Sequence, residues 1–279
     1  PSPEGEGLTV GAALSAAARR LGPLSDTPRL DAELLMAAAL GVEREELLLS
    51  GLQREAPERF QTLLERRAAG EPVAYILGRR AFWTIELEVG SGALIPRPDS
   101  ETLLEAAVGH FGAQGPKRVL DLGTGPGTLL LAALHQWPGA TGIGVDASET
   151  ALAYAARNSE RLGLGARASF RLGDWGEGLQ EKFDLVLCNP PYVARGSKLP
   201  PDVVAFEPSL ALFADEGGLA AYRRLAPQIP GLLAAQGLAC VEIGAGQEAA
   251  VAELFAARGL DVGSRRDLAG HVRCLVLGH

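Results

Sequence analysis

The sequence predicts an α/β fold: a doubly wound sheet, preceded by a small N-terminal all-helical domain and joined to it by a β-hairpin linker. Three observations predict it. Helical periodicity fills the first seventy or so residues from Thr9 onward. Between Arg118 and Cys188, short apolar runs alternate with helical segments, as βα units do. The last two apolar runs, Leu260 to Asp267 and Val272 to Leu277, leave no room for a helix between them, which suits an antiparallel end to the sheet. The expected domains are residues 1–71, 72–97 and 98–279.

In order along the chain, the first eight or so residues, rich in Pro, Gly and Glu, are expected to fray. A helix runs from about Thr9 to Arg20. A second begins after Asp26-Thr27-Pro28, a capping residue followed by proline, and stops at Gly41. Shorter helices are expected near 44–49 and 57–69. Ile85-Glu86-Leu87-Glu88-Val89 alternates apolar and charged residues like a half-exposed strand, and with Ala81-Phe82-Trp83 it reads as a hairpin. After Ile95-Pro96-Arg97-Pro98, Asp99 or Ser100 is placed to cap a helix through His110. Strands are expected at 118–122, 141–145, 168–172, 183–188 and 237–243. Helices are expected at 128–136, 149–162, 218–233 and 247–258. The loop from Val193 to Asp215 is long enough to act as a lid facing a substrate.

Composition excludes some functions. The 279 residues are 47% hydrophobic and 22% charged, with a net charge of −8, an ordinary globular composition. A protein gripping a long duplex usually shows a basic face, because neutralised phosphates supply most of the affinity. Arg66-Arg67, Arg79-Arg80 and Arg223-Arg224 are too short to make one. No apolar run approaches the ~18 residues that span a bilayer, and no charged-then-apolar leader opens the chain, so a cytoplasmic protein is expected. Cys188, Cys240 and Cys274 lie far apart and read as reduced core residues. His110, His135, His271 and His279 form no short-spaced pair, so no metal site is predicted.

Two stretches carry chemistry. The strand Arg118-Val119-Leu120-Asp121-Leu122 runs into Gly123-Thr124-Gly125-Pro126-Gly127 and then a helix. Strand, glycine turn and helix let a ligand approach the backbone closely. Thr128 stands where a dinucleotide fingerprint needs glycine. Asp146 ends the next strand about twenty residues on, where a carboxylate can accept both hydroxyls of a ribose. Gly173-Asp174-Trp175 ends the third strand and could hold and stack an adenine; a capping Asp beside a packed Trp would give the same pattern.

The second stretch is Asn189-Pro190-Pro191-Tyr192, at the end of the apolar run Phe183 to Cys188. The Asn side chain offers one acceptor and two donors. The prolines remove backbone donors and fix φ, so the carbonyls of Asn189 and Pro190 are held as acceptors, and Tyr192 adds a flat face. This set suits a planar –NH2 group: an amide, or the exocyclic amine of a base. Two acceptors holding both protons would let such a nitrogen pyramidalise toward an electrophile without a general base. The tetrapeptide alone equally suits a proline-punctuated turn around a buried tyrosine.

In order and spacing, Asp121 to Gly127, Asp146, Gly173-Asp174-Trp175 and Asn189-Pro190-Pro191-Tyr192 resemble class I S-adenosylmethionine-dependent methyltransferases acting on a planar amino nitrogen. That alone leaves adenine, cytosine, guanine and glutamine open as targets. Further features narrow it: Ile95-Pro96-Arg97-Pro98-Asp99-Ser100-Glu101, Glu207-Pro208 with Ala211-Leu212-Phe213, Glu242-Ile243-Gly244 with Gln247, and Asp267-Leu268-Ala269-Gly270. With the helical front domain, these are similar to the bacterial release factor glutamine methyltransferases over nearly the whole chain. Ser100 stands where that family more often has Thr, and Pro126 where Ser or Thr is commoner; Pro126 withdraws one backbone donor from the glycine loop.

The resemblance implies S-adenosyl-L-methionine as cofactor and peptide chain release factors as substrate, methylated at the N(5) of the glutamine in Gly-Gly-Gln. It implies that Gly123, Thr124, Gly125, Pro126 and Gly127 line the methionine and ribose portion, that Asp146 takes the ribose hydroxyls, and that Asp174 and Trp175 border the adenine. Asn189 and Pro190 are the implied catalytic pair, each accepting one amide proton, with Asn189 also touching the cofactor. Pro191 and Tyr192 complete the substrate side. No metal, membrane or direct nucleic-acid partner is implied. The main alternative is a nucleic-acid amino-methyltransferase acting on adenine N(6) or guanine N(2), which the same loop favours and the acidic charge balance opposes. A nucleoside-binding adaptor and a Rossmann dehydrogenase fit less of the pattern.

Overall fold

The computed structural model describes residues 8–279, so the frayed start expected at the first eight residues lies almost wholly outside the described part. The chain forms two compact units. One comprises residues up to Gly78 together with Pro200–Phe206; the other comprises Arg79–Leu199 and Glu207–His279.

The first unit is helical, with α-helices at Val10–Leu21, Pro28–Leu40, Arg44–Glu46, Glu58–Ala68 and Val73–Leu77. Val10, Leu14 and Leu21 on the first helix meet Leu35 and Met36 on the second and Phe60 and Leu64 on Glu58–Ala68. Each such side chain, fully buried, contributes about 1.5–3 kcal/mol. Thr27 sits at the N-cap of the second helix without a capping bond; its hydroxyl donates to Asp31 instead, at 3.2 Å. Inside this unit Arg67, 5% exposed, pairs with Asp31, 7% exposed, at 2.8 Å. Arg67 also reaches Asp202 on the Pro201–Phe206 helix at 3.4 Å. The apolar run Val73–Leu77, expected within the hairpin linker, is a short helix closed by Gly78 in the left-handed region.

The second unit opens with the hairpin of strands β1 (Arg79–Phe82) and β2 (Ile85–Glu88). Its main sheet follows: β3 (Arg118–Leu122), β4 (Thr141–Asp146), β5 (Ala168–Leu172) and β6 (Phe183–Cys188). The short strands β7 (Val193–Ala194) and β8 (Phe213–Ala214) pair with each other, and β9 (Leu233–Glu242), β10 (Asp261–Arg266) and β11 (Val272–Gly278) complete the sheet. The seven strands run in the order β10-β11-β9-β6-β3-β4-β5. Strands β3, β4, β5, β6 and β9 are parallel, and the β10–β11 hairpin supplies the antiparallel end. The central strands β3 and β6 are almost continuously buried because helices cover both faces. The order reverses at β3, with β4 to one side and β6 to the other, so a crevice opens at the carboxyl ends of these strands.

Three expectations are corrected. The 193–215 segment is not an open loop: it holds the β7–β8 ladder and helices at Pro201–Phe206 and Ser209–Leu212, with Pro200–Phe206 belonging to the helical unit. The 218–233 stretch is not one helix. Glu216, Gly217 and Gly218 take positive φ, so Asp215–Gly218 is a kinked turn, Pro230 starts a new turn, and the result is two short helices, Ala220–Leu225 and Ile229–Leu232. Ser100 occupies the N-cap of the Glu101–Phe111 helix but makes no capping bond, because its hydroxyl is used elsewhere. Among the described residues, no helix is long and apolar enough to cross a membrane.

Candidate active site

The carboxyl ends of the parallel strands carry the residues singled out by sequence. Strand β3 delivers the glycine loop, which β4 holds from beside: the amides of Gly123 and Thr124 both donate to Val145 O, at 2.8 and 3.0 Å. Thr124 Oγ1 donates to Asp121 Oδ2 at 2.7 Å, and the Leu130 amide of the following helix donates to the same oxygen at 3.1 Å. Asp121 Oδ1, equally buried, has no partner. Burial first, with the nearby Asp146 charge adding to it, pushes the Asp121 carboxyl up to about 7 against those two hydrogen bonds.

Asp146 ends β4 and is itself part of the loop's scaffold. Its Oδ2 accepts from the Gly125 amide at 2.8 Å and its Oδ1 from the Ser148 amide at 2.9 Å. Burial raises its carboxyl above the ordinary range, opposed by the Gly125, Ser148 and Ala147 amides. A carboxylate has about four lone-pair sites, so these amides leave acceptor capacity for a ligand. Trp175, after β5, holds a left-handed backbone, φ 54°, which is uncommon for a bulky residue and is a mark of functional sites. Its ring packs over the loop: a Cβ on Gly123 would stand 3.3 Å from the indole, and φ there is +73°. Glycine at 123 therefore answers both a backbone and a contact requirement. Asp174 is hydrogen-bonded by Arg224 from the Ala220–Leu225 helix.

These parts surround a cavity of about 380 Å³. Gly123, Thr124, Gly125, Pro126 and Asp146 are on its wall, with Asp174, Trp175, Asn189 and Pro191. Gly127, Pro190 and Tyr192 are not. Gly127 is the N-cap of the Thr128–Gln136 helix, and Pro190 is buried. Tyr192 turns its hydroxyl to Glu242 Oε1 at 3.1 Å. Loop 95–97 also lines the cavity and is tied down by Glu207, which accepts from the Ile95 amide at 3.1 Å and from Arg97 Nη2 at 2.5 Å. Glu207 is thus a clamp, with Pro208, Leu210 and Ala211 following it onto the wall.

Asn189 follows β6 directly and is held by a network for which the sequence offered no role. Asn189 Nδ2 donates to Ser100 Oγ at 3.0 Å, and Ser100 Oγ donates to Glu242 Oε2 at 2.5 Å. Glu242 is fully buried at the end of β9. Burial pushes its carboxyl up to about 7, opposed by the Ser100 and Tyr192 hydroxyls and by Arg273. Burial, and then the Glu242 charge, drives the Tyr192 phenol well above its usual range, so it remains a donor. Gln247 anchors the far end of the tetrapeptide: its Nε2 donates to Tyr192 O at 3.1 Å, while its Oε1 accepts from the Gly244 amide at 2.9 Å. A glutamate inside the apolar run Leu238 to Ile243 was the available signal, since a buried charge demands partners.

The architecture is shared with known proteins in both units. A family described as the PrmC N-terminal domain matches residues 12–78, and one described as a methyltransferase domain matches residues 114–224. A release factor glutamine methyltransferase from Caulobacter vibrioides is 44% identical over 97% of this chain and 96% of its own length. The chain belongs to the release factor glutamine methyltransferase family. A second member of the family, from Rhodospirillum rubrum, is 42% identical over 98% of this chain and 86% of its own. Among solved structures, a methyltransferase from Pyrococcus furiosus superposes with a TM-score of 0.54 at 18% identity, over 78% of this chain and 98% of that one, a likeness of fold.

Proposed function

We propose that the protein methylates the side-chain amide nitrogen of the glutamine in the Gly-Gly-Gln motif of peptide chain release factors, using S-adenosyl-L-methionine and leaving S-adenosyl-L-homocysteine. Membership of the family, over nearly the full length of the chain, carries this reading. The cavity's chemistry supports the cofactor. Asp121 Oδ1 is a buried acceptor without a partner, suited to an ammonium group. Asp146 keeps free lone pairs for a diol, and Trp175 offers a planar face for a purine. When bound, the cofactor supplies an electrophilic methyl group on a sulfonium.

The remaining work is alignment, which falls to this chain's own residues. Asn189 Nδ2 is committed to Ser100, so Oδ1 is the side-chain atom left to accept a proton of the substrate amide. The Pro190 carbonyl accepts a hydrogen bond from the other proton, and with both held the nitrogen lone pair is freed for attack; the N-methylated amide then releases one of these two protons to solvent. Tyr192 packs its ring against the amide plane, while its hydroxyl stays on Glu242. Pro191 closes the substrate side of the cavity. The reading is tested by incubating the protein with S-adenosylmethionine and purified release factor and locating the added methyl by mass spectrometry. It predicts a single methyl on the Gly-Gly-Gln glutamine; modification at another residue would contradict it.

A further inference from the structure

We propose that Ser100 and Glu242 are positioning residues that determine which way the Asn189 carboxamide faces, so that its oxygen and not its nitrogen is offered to the substrate amide. The inference rests on the glutamine reading above for its catalytic consequence, but the orientation itself is a property of the free protein.

A serine hydroxyl has one proton to give. That of Ser100 goes to Glu242 Oε2, 2.5 Å away. Both residues are out of water, Ser100 at 2% exposure. Glu242 Oε1 is occupied by the Tyr192 hydroxyl, so the carboxylate acts on both sides as an acceptor. Ser100 Oγ is then left with lone pairs only, and whatever approaches it must be a donor. Asn189 meets it with Nδ2 at 3.0 Å. The reversed amide would set oxygen against oxygen with no proton between them. The buried carboxylate therefore dictates, through one hydroxyl, the face that Asn189 presents to the cavity.

The same logic gives the network a proton-dependent state. Facing Glu242 are Ser100 and Asp99 from the turn before the Glu101–Phe111 helix, Tyr192 after β6, and Arg273 on β11. Cys188 on β6 feels its charge, and the Tyr222 hydroxyl donates to its main-chain oxygen. Arg273 is itself held by Asp99 and Asp267, at 3.1 and 3.4 Å. A protonated Glu242 becomes a donor to Ser100, whose hydroxyl is then free to donate to Asn189 and favour the reversed amide. Burial raises the Glu242 carboxyl to about 7, so the acid form falls within an accessible range.

The experiment compares the full chain with Ser100→Ala, Ser100→Thr and Glu242→Gln. Turnover is measured at saturating S-adenosylmethionine and release factor, and the Asn189 side-chain amide is observed by NMR in the free protein. Ser100→Ala is expected to lower kcat about 100-fold, with KM for the release factor and cofactor affinity within about threefold. Ser100→Thr retains the hydroxyl and recovers kcat. Glu242→Gln loses the acid limb that wild type shows in kcat between about pH 6 and pH 8. In the NMR arm, Ser100→Ala speeds solvent exchange of the Asn189 Nδ2 protons. Wild-type kcat in Ser100→Ala, or Asn189 amide exchange unchanged by it, overturns the proposal. Should Ser100→Ala fail to fold, an acid limb persisting in Glu242→Gln overturns it alone. If wild type itself does not modify release factor, the glutamine reading fails, and the NMR arm still decides the orientation.

Discussion

Ser100 Oγ and Glu242 Oε2 stand 2.5 Å apart although 142 positions separate them in sequence. The contact brings the start of the Glu101–Phe111 helix to the end of β9 and leaves Asn189 Nδ2 as the donor between β6 and Ser100. The asparagine proposed as catalytic is thus oriented by residues from two other stretches of chain.

Asn189→Ala removes the acceptor and leaves the glycine loop, Asp146 and Trp175 in place. Methyl transfer is expected to vanish while affinity for S-adenosylhomocysteine, measured by calorimetric titration, stays within roughly tenfold, or ~1.4 kcal/mol. Substantial residual turnover would remove Asn189 from the chemistry.

Asp121→Asn replaces the unpartnered carboxylate oxygen in the cavity wall. Losing a hydrogen bond to a charged group costs about 1.5–3 kcal/mol, so cofactor affinity is expected to weaken roughly 10- to 100-fold. Because the Asp121 carboxyl is raised to about 7, wild-type affinity for a cationic cofactor should fall as pH drops through that value, and the variant's should not. Stability has the opposite sign. A carboxyl whose folded-state pKa is raised stabilises the fold fully below its ordinary range and loses that contribution as pH rises through about 7. The thermal midpoint of the unliganded variant should therefore vary less across the range from about pH 4 to 7 than that of wild type.

Tyr192→Phe keeps the ring and deletes the hydroxyl that donates to Glu242 at 3.1 Å. A buried carboxylate left short of a donor costs about 1–3 kcal/mol, to be read by urea unfolding. Turnover should fall less than in Asn189→Ala, since Ser100 still orients the amide. An equal loss in both would place the Tyr192 hydroxyl in the chemistry.

In the helical unit, Arg67→Ala leaves Asp31 buried without its cation. Breaking a buried pair from one side costs about 3–5 kcal/mol. Hydrogen exchange should show lost protection in the helices Val10–Leu21 and Pro28–Leu40. Unchanged protection would mean that water reaches Asp31 and replaces the guanidinium.

The parts of this site legible in the sequence are those whose meaning is local. The β3 strand, the glycine turn and the following helix are contiguous, and the prolines of 190 and 191 end β6 by removing backbone donors. Ser100 was legible as a helix cap and as part of the family resemblance, but nothing nearby shows that a glutamate 142 residues later will take its proton. Glu207 likewise reads as a loop residue until the fold brings it to Ile95 and Arg97. The 218–233 stretch has enough apolar residues for one helix, yet Gly218 is pressed so close to Tyr192 O that a side chain there would collide with it, and Pro230 interrupts the remainder. Long-range pairing decides these places, and local propensity does not contain it.

Methylation of the Gly-Gly-Gln glutamine is tested by transfer of labelled methyl from S-adenosylmethionine to purified release factor. A release factor carrying Gln→Ala in its Gly-Gly-Gln and a mixture of DNA and ribosomal RNA serve as parallel acceptors. Label on the unaltered factor alone is the predicted result, and it would place the acceptor oxygens of Asn189 and Pro190 at a glutamine amide. Label on the nucleic acid, or on the altered factor as strongly as on the unaltered one, would contradict it.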